Sequence, residues 1–252
     1  MAMLFDRTPV RDLAELAPFY GADEFASPFR STVPLLALFK DGAPRLTSLL
    51  AELGMPNDAS LHFEYRVDSP RGKGRPSQTD LMVLSGDRSL AIEAKWTEPR
   101  YETVRERAGR DEDNQNRLQV IDGWIELVNR QANPAANFAG VSHCVYQMLH
   151  RAASACAAAK HPSLAYLVFR MEGDPVKTFY SEDLATLHRA LGNPSVFPFW
   201  LIDAELKPTP TFEALRGLRK GAPATAERVH ESLLRERPFK FGDMAVHRIE
   251  QS

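Results

Sequence analysis

Two short apolar runs joined by a turn constrain the fold more than any other part of the chain. The runs TDLMVL (79–84) and SLAIEAKW (89–96) flank the turn-forming sequence SGDR. Apolar runs of this length, bounded by Gly, Asp and Ser, predict two strands of an antiparallel hairpin. Asp80 opens the first run, and Glu93 and Lys95 lie inside the second, where a buried strand ordinarily has apolar residues.

The alternation of side chains along a strand predicts that these charges meet. Glu93 and Lys95 share one face of their strand. A four-residue SGDR connection pairs Leu84 with Ser89, and the ladder continued from there places Asp80 opposite Glu93. Directly opposed residues have Cβ atoms about 5 Å apart. The three charges therefore converge in this register, whereas a slip of one residue separates them.

A pair of close carboxylates needs a cation. At about 4 Å two such charges repel by roughly 4 kcal/mol at an effective dielectric constant near 20, and Lys95 offsets only part of this. Oxygen ligands suit Mg²⁺ or Mn²⁺, and Glu64 on the preceding strand adds a further carboxylate. Such a site suits phosphodiester hydrolysis, in which the metal activates a water. Lys95 then positions or deprotonates that water, or neutralises the phosphorane.

The same three residues also allow a purely structural interpretation. Glu93 and Lys95 form an ion pair at a strand end, and Asp80 caps a turn. The residues alone leave this alternative open.

The remaining patterns predict an α/β fold with a mixed central sheet flanked by helices. The first three strands are expected to form an antiparallel meander, and later strands are expected to join through helical crossovers. Helices are predicted at 44–56, 98–113, 116–130, 141–160 and 222–237, and strands at 61–67, 79–84, 89–96, 164–171 and 197–206.

Composition limits the class of protein. The chain has 252 residues, 44% of them hydrophobic, which is enough for one large core. The net charge of −2 neither supports nor excludes nucleic acid as a partner, so a polyanion site has to be a local basic patch. The absence of a signal-peptide pattern and of a long apolar run predicts a cytoplasmic protein that does not span a membrane. Cys144 and Cys156 are predicted to lie roughly 18 Å apart on one helix, too far for a disulfide.

Residues 64–98 resemble the core of the PD-(D/E)XK, or restriction-endonuclease-like, nuclease superfamily. The matching positions are Asp80 in QTDLMVL and Glu93-Ala94-Lys95 in LAIEAKW. Thr79 stands where the superfamily pattern has proline. The resemblance implies a restriction-endonuclease-like core and a magnesium-dependent nuclease. Asp80, Glu93 and the carbonyl group of Ala94 would bind the metal, and Lys95 would assist catalysis.

The resemblance also implies an additional acidic residue and contacts with the substrate. Glu64 is the first choice for the acidic residue and Glu52 the second. The helix with Tyr146 and Gln147 is similar to one that places a Gln and a Tyr beside the site in some relatives. The nucleic-acid contacts expected from the basic loop SPRGKGRP and from this helix are Arg71, Lys73, Arg75, Gln147 and Arg151, with Tyr146 and His150 as further candidates. The alternatives are a solvated loop and a helix that only packs in the core.

These observations predict one nuclease-like domain over 1–252. It comprises an N-terminal helical addition at 1–43, the core at 44–206 and a C-terminal helical addition at 207–252. The expected function is metal-dependent hydrolysis of nucleic acid, with DNA as the substrate and Mg²⁺ or Mn²⁺ as the cofactor, in restriction, repair or defence. A homodimer is left open. The alternatives are an inactive nuclease-like fold that binds nucleic acid or protein, and an unrelated α/β protein whose charges only form ion pairs.

Overall fold

The strands of the described residues form one mixed sheet of eight strands. The computed structural model describes residues 1–41, 43–109 and 114–250. The strands are β1 (Met3–Phe5), β2 (Thr8–Val10), β3 (Ser60–Val67), β4 (Ser77–Ser85), β5 (Arg88–Lys95), β6 (His161–Met171), β7 (Phe199–Pro208) and β8 (Phe239–Arg248). Their order across the sheet is β2-β1-β3-β4-β5-β6-β7-β8.

Helices cover both faces of this sheet. They are α1 (Leu13–Leu16), α2 (Thr32–Asp41), α3 (Ala43–Glu52), α4 (Val104–Ala108), α5 (Asn114–Val128), α6 (Phe138–Val141), α7 (Tyr146–Ala158), α8 (Phe179–Ala190), α9 (Pro210–Arg216) and α10 (Pro223–Arg235), with 3₁₀ helices at Ala17–Phe19 and Ala22–Phe25. In the part of the chain that the structure describes, no helix is long and apolar enough to cross a membrane.

The predicted meander and its register are confirmed. Strands β3, β4 and β5 pair antiparallel, and β6 and β7 join β5 in parallel. Leu84 pairs with Ser89, as the parity argument required. The turn is tighter than predicted, because Ser85 also pairs with Arg88 and only two residues remain between them. Gly86 takes a φ of 56°, which glycine adopts without a steric cost.

The sheet separates two apolar layers. On β4, Leu81 and Val83 face one layer and Met82 faces the other. Trp96 is buried in the first layer. Helix α7 packs in the second layer, where buried small residues such as Ala152 let its backbone approach β4, β5 and β6 closely. The face of β5 that carries Glu93 and Lys95 is therefore the face that α7 covers.

The terminal segments are not the purely helical additions that were predicted. Strands β1 and β2 begin the chain, and β1 pairs in parallel with β3. Strand β8 pairs antiparallel with β7 and extends the sheet at the other edge. Runs of three residues, as in β1 and β2, are too short to show a periodicity in the sequence.

Two predicted helices also differ from the structure. The helix predicted at 141–160 is divided into α6 and α7, because residues 142–145 form a turn and an isolated bridge from Val145 to Thr103. Within 98–109, the described part of the helix predicted at 98–113, only α4 is helical, and Thr103 and Glu106 cap its N-terminus. Residues 110–113 lie outside the described residues. Cys144 and Cys156 are both free, as predicted.

Candidate active site

The predicted charges meet in one cavity of about 260 Å³ between the sheet and α7. We call it the acidic cavity. The predicted residues that line it are Glu64, Asp80, Glu93, Lys95, Gln147 and Arg151. Its other described lining residues are Glu24, Arg30, Ser31, Thr32, Gln78, Glu98 and Tyr101. The convergence derived from strand parity is therefore present in the structure.

Glu64 reaches the cavity through an irregular point in β3. The ladder pairs Phe63 with Leu81 and Tyr65 with Thr79, so the intervening Glu64 and Asp80 are not paired as ladder residues. Glu64 has a φ of 54°, in the left-handed region that residues with a Cβ rarely adopt. Strain of this kind costs on the order of 1–3 kcal/mol and is found where function requires a particular side-chain direction.

Glu93 is buried, and its carboxylate oxygens accept three hydrogen bonds from neighbouring side chains. Its Oε1 accepts hydrogen bonds from Lys95 Nζ at 2.8 Å and from Gln147 Nε2 at 2.8 Å. Its Oε2 accepts a hydrogen bond from Arg151 Nε. Burial alone would raise the pKa of Glu93, but the charges of Arg151 and Lys95 outweigh it and lower the pKa below its usual value. Glu93 is therefore an ionised carboxylate.

Among the described residues, no cationic side chain donates a hydrogen bond to Asp80 or Glu64. Desolvation, followed by repulsion from Glu93, raises the pKa of Asp80 to about 7, although its Oδ2 accepts a hydrogen bond from the Ala94 N–H at 2.7 Å. Desolvation, followed by repulsion from Asp80, raises the pKa of Glu64 to about 9, and a hydrogen bond from Gln78 Nε2 offsets only part of this. The two carboxylates together leave the cavity short of positive charge.

Lys95 is held as an ammonium group. It is only 3% exposed, and burial on its own would lower its pKa. The carboxylates of Glu93 and Asp80 outweigh this effect and raise the pKa above its usual value. The ring of Tyr101 also lies over Nζ, with 4.6 Å to the ring centroid, which is a favourable cation–π geometry.

Gln147 and Arg151 hold Glu93 in place, and the direct substrate contact expected of them stays a prediction. Arg151 is only 7% exposed. Besides Glu93 it donates from Nη1 to Ser77 Oγ at 2.9 Å and to His150 Nδ1 at 3.1 Å. A guanidinium enclosed by these partners is not available to a large substrate. We therefore assign Gln147 and Arg151 a positioning role.

The oxygen donors of the cavity belong to the chemical class that magnesium and manganese prefer, and metal binding stays a prediction. No group of three or more His, Cys, Asp or Glu side chains in the described ranges is arranged to hold a metal. The carboxylates of Asp80 and Glu64 are the least engaged donors, and metal binding by Glu93, whose oxygens accept three hydrogen bonds, stays a prediction. Gln147 Oε1, which is buried without a hydrogen-bond partner among the described residues, is a third oxygen. Mg²⁺ usually binds one or two carboxylates and keeps several waters, so this donor set suffices.

The two other predicted metal positions have different surroundings. Glu52 is exposed and lines a separate recess with Arg45 and Gly242, so the structure favours Glu64 as the additional acidic residue. Ala94 is buried, and its N–H serves Asp80. Metal binding by the Ala94 carbonyl stays a prediction.

The predicted basic loop forms the wall of a different recess. Lys73 and Arg75 line a cavity of about 400 Å³ together with Tyr146 and His150. Arg71 is not among its lining residues and instead donates from Nε to Glu126 Oε2 at 2.7 Å. We call this second space the basic recess.

Sequence reasoning missed the residues that close the acidic cavity on the side of the N-terminal segment. Thr32 Oγ1 donates to Glu24 at 2.8 Å, and Glu98 accepts from the Ser31 N–H at 3.1 Å. Glu24, Ser31 and Thr32 are distant in sequence from the central strands, and no local pattern links them to the cavity. Gln78 could have been found, because it lies two residues before Asp80 on the same face of β4.

One family matches most of the chain. A family described as "Domain of unknown function (DUF6946)" matches residues 9–197, about three quarters of the 252 residues. The matched segment includes all residues that line the acidic cavity and ends before β7. Comparisons with curated proteins and with solved structures found no match.

Proposed function

We propose that this chain, which belongs to the DUF6946 family of domains of unknown function, is a metal-dependent nuclease with DNA as its substrate. The observation that carries the proposal is the convergence of Glu64, Asp80, Glu93 and Lys95 in one cavity. The antiparallel meander followed by parallel strands also supports a restriction-endonuclease-like core. The proposed activity is hydrolysis of a phosphodiester bond.

Asp80 and Glu64 are the residues that would hold Mg²⁺ or Mn²⁺. When bound, the ion supplies charge for the scissile phosphate and lowers the pKa of an attacking water. The carboxylates are suited to this because burial, followed by repulsion from a neighbouring carboxylate, raises the pKa of each, and a bound cation would offset these effects. Gln78 orients Glu64, and the Ala94 N–H orients Asp80.

Lys95 acts as a charged donor in this proposal. Of the three roles predicted for it, stabilisation of the phosphorane fits better than deprotonation of water, because Glu93 holds the ammonium form. Glu93 in turn is fixed by Arg151 and Gln147, so the position of Nζ depends on a rigid network. Preorganised charge of this kind needs little rearrangement during the reaction.

The test is cleavage of plasmid, single-stranded DNA and RNA with Mg²⁺, with Mn²⁺ and with EDTA. Asp80→Asn removes a proposed ligand while preserving shape and the hydrogen bond from Ala94. Asp87→Asn, at the exposed turn of the same hairpin, is the matched control. Cleavage by the wild type and by the control, with loss in EDTA and in Asp80→Asn, is expected. Cleavage that persists in EDTA and in Asp80→Asn would refute the site.

A second candidate function is a binding module with a nuclease-like fold that does not cut. The observation in its favour is that both Glu93 oxygens are occupied by protein donors. This function predicts binding of nucleic acid without cleavage under every metal condition of the same experiment.

A further inference from the structure

The basic recess lies beside the acidic cavity and has a composition of its own. Its walls combine the cationic side chains of Lys73, Arg75 and Arg107 with the aromatic rings of Tyr146, His150 and Trp124. Among the described residues that line it, none is acidic. Cations beside aromatic rings are the features by which proteins hold the phosphate and the base of an unpaired nucleotide.

The basic loop SPRGKGRP is anchored to α5 by hydrogen bonds and close packing. The side chain of Asn116 on α5 accepts from the Lys73 N–H at 2.7 Å and donates to the Lys73 carbonyl at 2.7 Å. Gly72 has a φ of 69° and lies so close to α5 that a Cβ there would be 2.9 Å from backbone atoms of the helix. Gly123 on α5 likewise leaves room for Ser69. The side chains of Lys73 and Arg75 therefore start from a fixed backbone.

The aromatic wall is connected to the acidic cavity through α7. The rings of Tyr146 and His150 pack edge to face, with centroids 5.0 Å apart. Arg107 lies over the Tyr146 ring at 5.4 Å. Tyr146 and His150 alternate along α7 with Gln147 and Arg151, which hold Glu93 on the other side. One helix thus separates the proposed cutting site from the basic recess.

His150 is a neutral ring in this arrangement. Burial, followed by the positive charges of Arg151 and Lys95, lowers the pKa of His150 well below its usual value. Because Arg151 always donates, His150 Nδ1 must accept, so the neutral ring carries its hydrogen on Nε2. A neutral imidazole packs well against a nucleobase, while Lys73 and Arg75 supply charge for phosphate. Arg107 also contacts Glu102, with 3.5 Å from Nη1 to Oε1.

We propose that the basic recess holds one unpaired nucleotide of a single-stranded nucleic acid next to the scissile phosphate. This inference rests on the proposed function and names its substrate class. A volume of about 400 Å³ falls within the range of small-ligand sites. A base can enter such a recess only after it leaves a stacked duplex, which is least costly for a strand that is already single. The protein should therefore prefer single strands to intact duplexes.

Binding of a fluorescein-labelled thymidine oligonucleotide, measured by anisotropy in EDTA, tests the inference without any cleavage. The Lys73→Ala/Arg75→Ala variant is expected to bind about tenfold more weakly or worse, and its slope of log affinity against log salt should fall by about 1.4. Arg71→Ala is the matched control from the same loop, since Arg71 pairs with Glu126 outside the recess. A labelled duplex of equal length is expected to bind more weakly than the single strand.

A second pair of variants tests the aromatic wall. Tyr146→Phe keeps the ring and is expected to bind like the wild type, whereas Tyr146→Leu should bind about tenfold more weakly. Circular dichroism melts confirm that each variant is folded.

Each outcome bears on one of the two proposals. Equal binding by wild type and Lys73→Ala/Arg75→Ala, or a preference for duplex, would overturn the nucleotide site even if the protein cuts DNA. Loss of binding in the Arg71→Ala control would overturn it as well. Tight single-strand binding through Lys73 and Arg75 without cleavage in Mg²⁺ or Mn²⁺ would support the nucleotide site and overturn the nuclease proposal.

Discussion

The substitution Asp80→Asn should stabilise the folded protein when no metal is present. The pKa of Asp80 is raised from 3.8 to about 7 in the folded state. Folding therefore opposes ionisation of this group, and the penalty grows as the pH rises from about 4 to about 7 and is constant above it. Three pKa units correspond to about 4 kcal/mol. Because Asp80 keeps some contact with water, we expect about half of this penalty, or ~2 kcal/mol, at pH 8.

Asparagine removes this penalty and preserves the local geometry. It cannot ionise, and its side-chain oxygen can still accept the hydrogen bond from the Ala94 N–H. Urea unfolding in EDTA at pH 8 and at pH 4 measures the difference in free energy of unfolding. The gain from Asp80→Asn should be about 2 kcal/mol at pH 8 and within a few tenths of zero at pH 4.

Addition of metal should reverse the order of the two proteins. A ligand present at 100 times its Kd stabilises the folded state by about 2.7 kcal/mol. The wild type would gain this stability with Mg²⁺ or Mn²⁺, and Asp80→Asn would gain much less. If Asp80→Asn is destabilised in EDTA at pH 8, or if metal stabilises both proteins equally, the electrostatic account of the cavity is wrong.

Three further perturbations test other parts of the structure. Arg151→Met leaves the buried charge of Glu93 without its arginine and should lower the free energy of unfolding in urea by about 3–5 kcal/mol. Adding Glu93→Gln should recover part of this loss. A loss below about 1 kcal/mol would contradict the assigned network. Gly123→Ala forces a Cβ into Ser69 and should lower stability by about 1–3 kcal/mol, whereas Gly21→Ala, with no atom within 4 Å, should be nearly neutral. Mn²⁺ affinity should rise between pH 6 and pH 9 with release of protons, because the raised pKa values of Asp80 and Glu64 keep both groups largely protonated at low pH. Calorimetry in buffers of different ionisation enthalpy measures the proton release. A flat pH profile would count against these ligands.

The central strands and the acidic cavity were predictable because their determinants are local. Side-chain alternation and a short turn set the register of β4 against β5, and that register brings Asp80 to Glu93 and Lys95. Glu64 could be proposed from its place on the preceding strand. The left-handed backbone conformation of Glu64 could not be predicted, because the irregularity arises from pairing between β3 and β4 and not from the residue itself.

Other parts depend on contacts that are distant in sequence. The three-residue strands β1 and β2 pair with each other, and β1 also pairs with β3, which lies 58 residues later in the chain. Their sequences are too short to show a period. The role of Arg151 follows from the packing of α7 on β5, and the helical pattern of the sequence does not show where α7 packs. The packing of the basic loop against α5 decides that Arg71 pairs with Glu126 while Lys73 and Arg75 line the basic recess.

The most direct test of the central claim is calorimetric titration of Mn²⁺ into the purified protein at pH 8. The claim is that Asp80 and Glu64 bind one divalent cation together. The wild type and the Asp87→Asn control should bind one ion each, and Asp80→Asn and Glu64→Gln should each lower the affinity by at least about tenfold. Equal affinity in all four proteins, or no binding by the wild type, would contradict the claim.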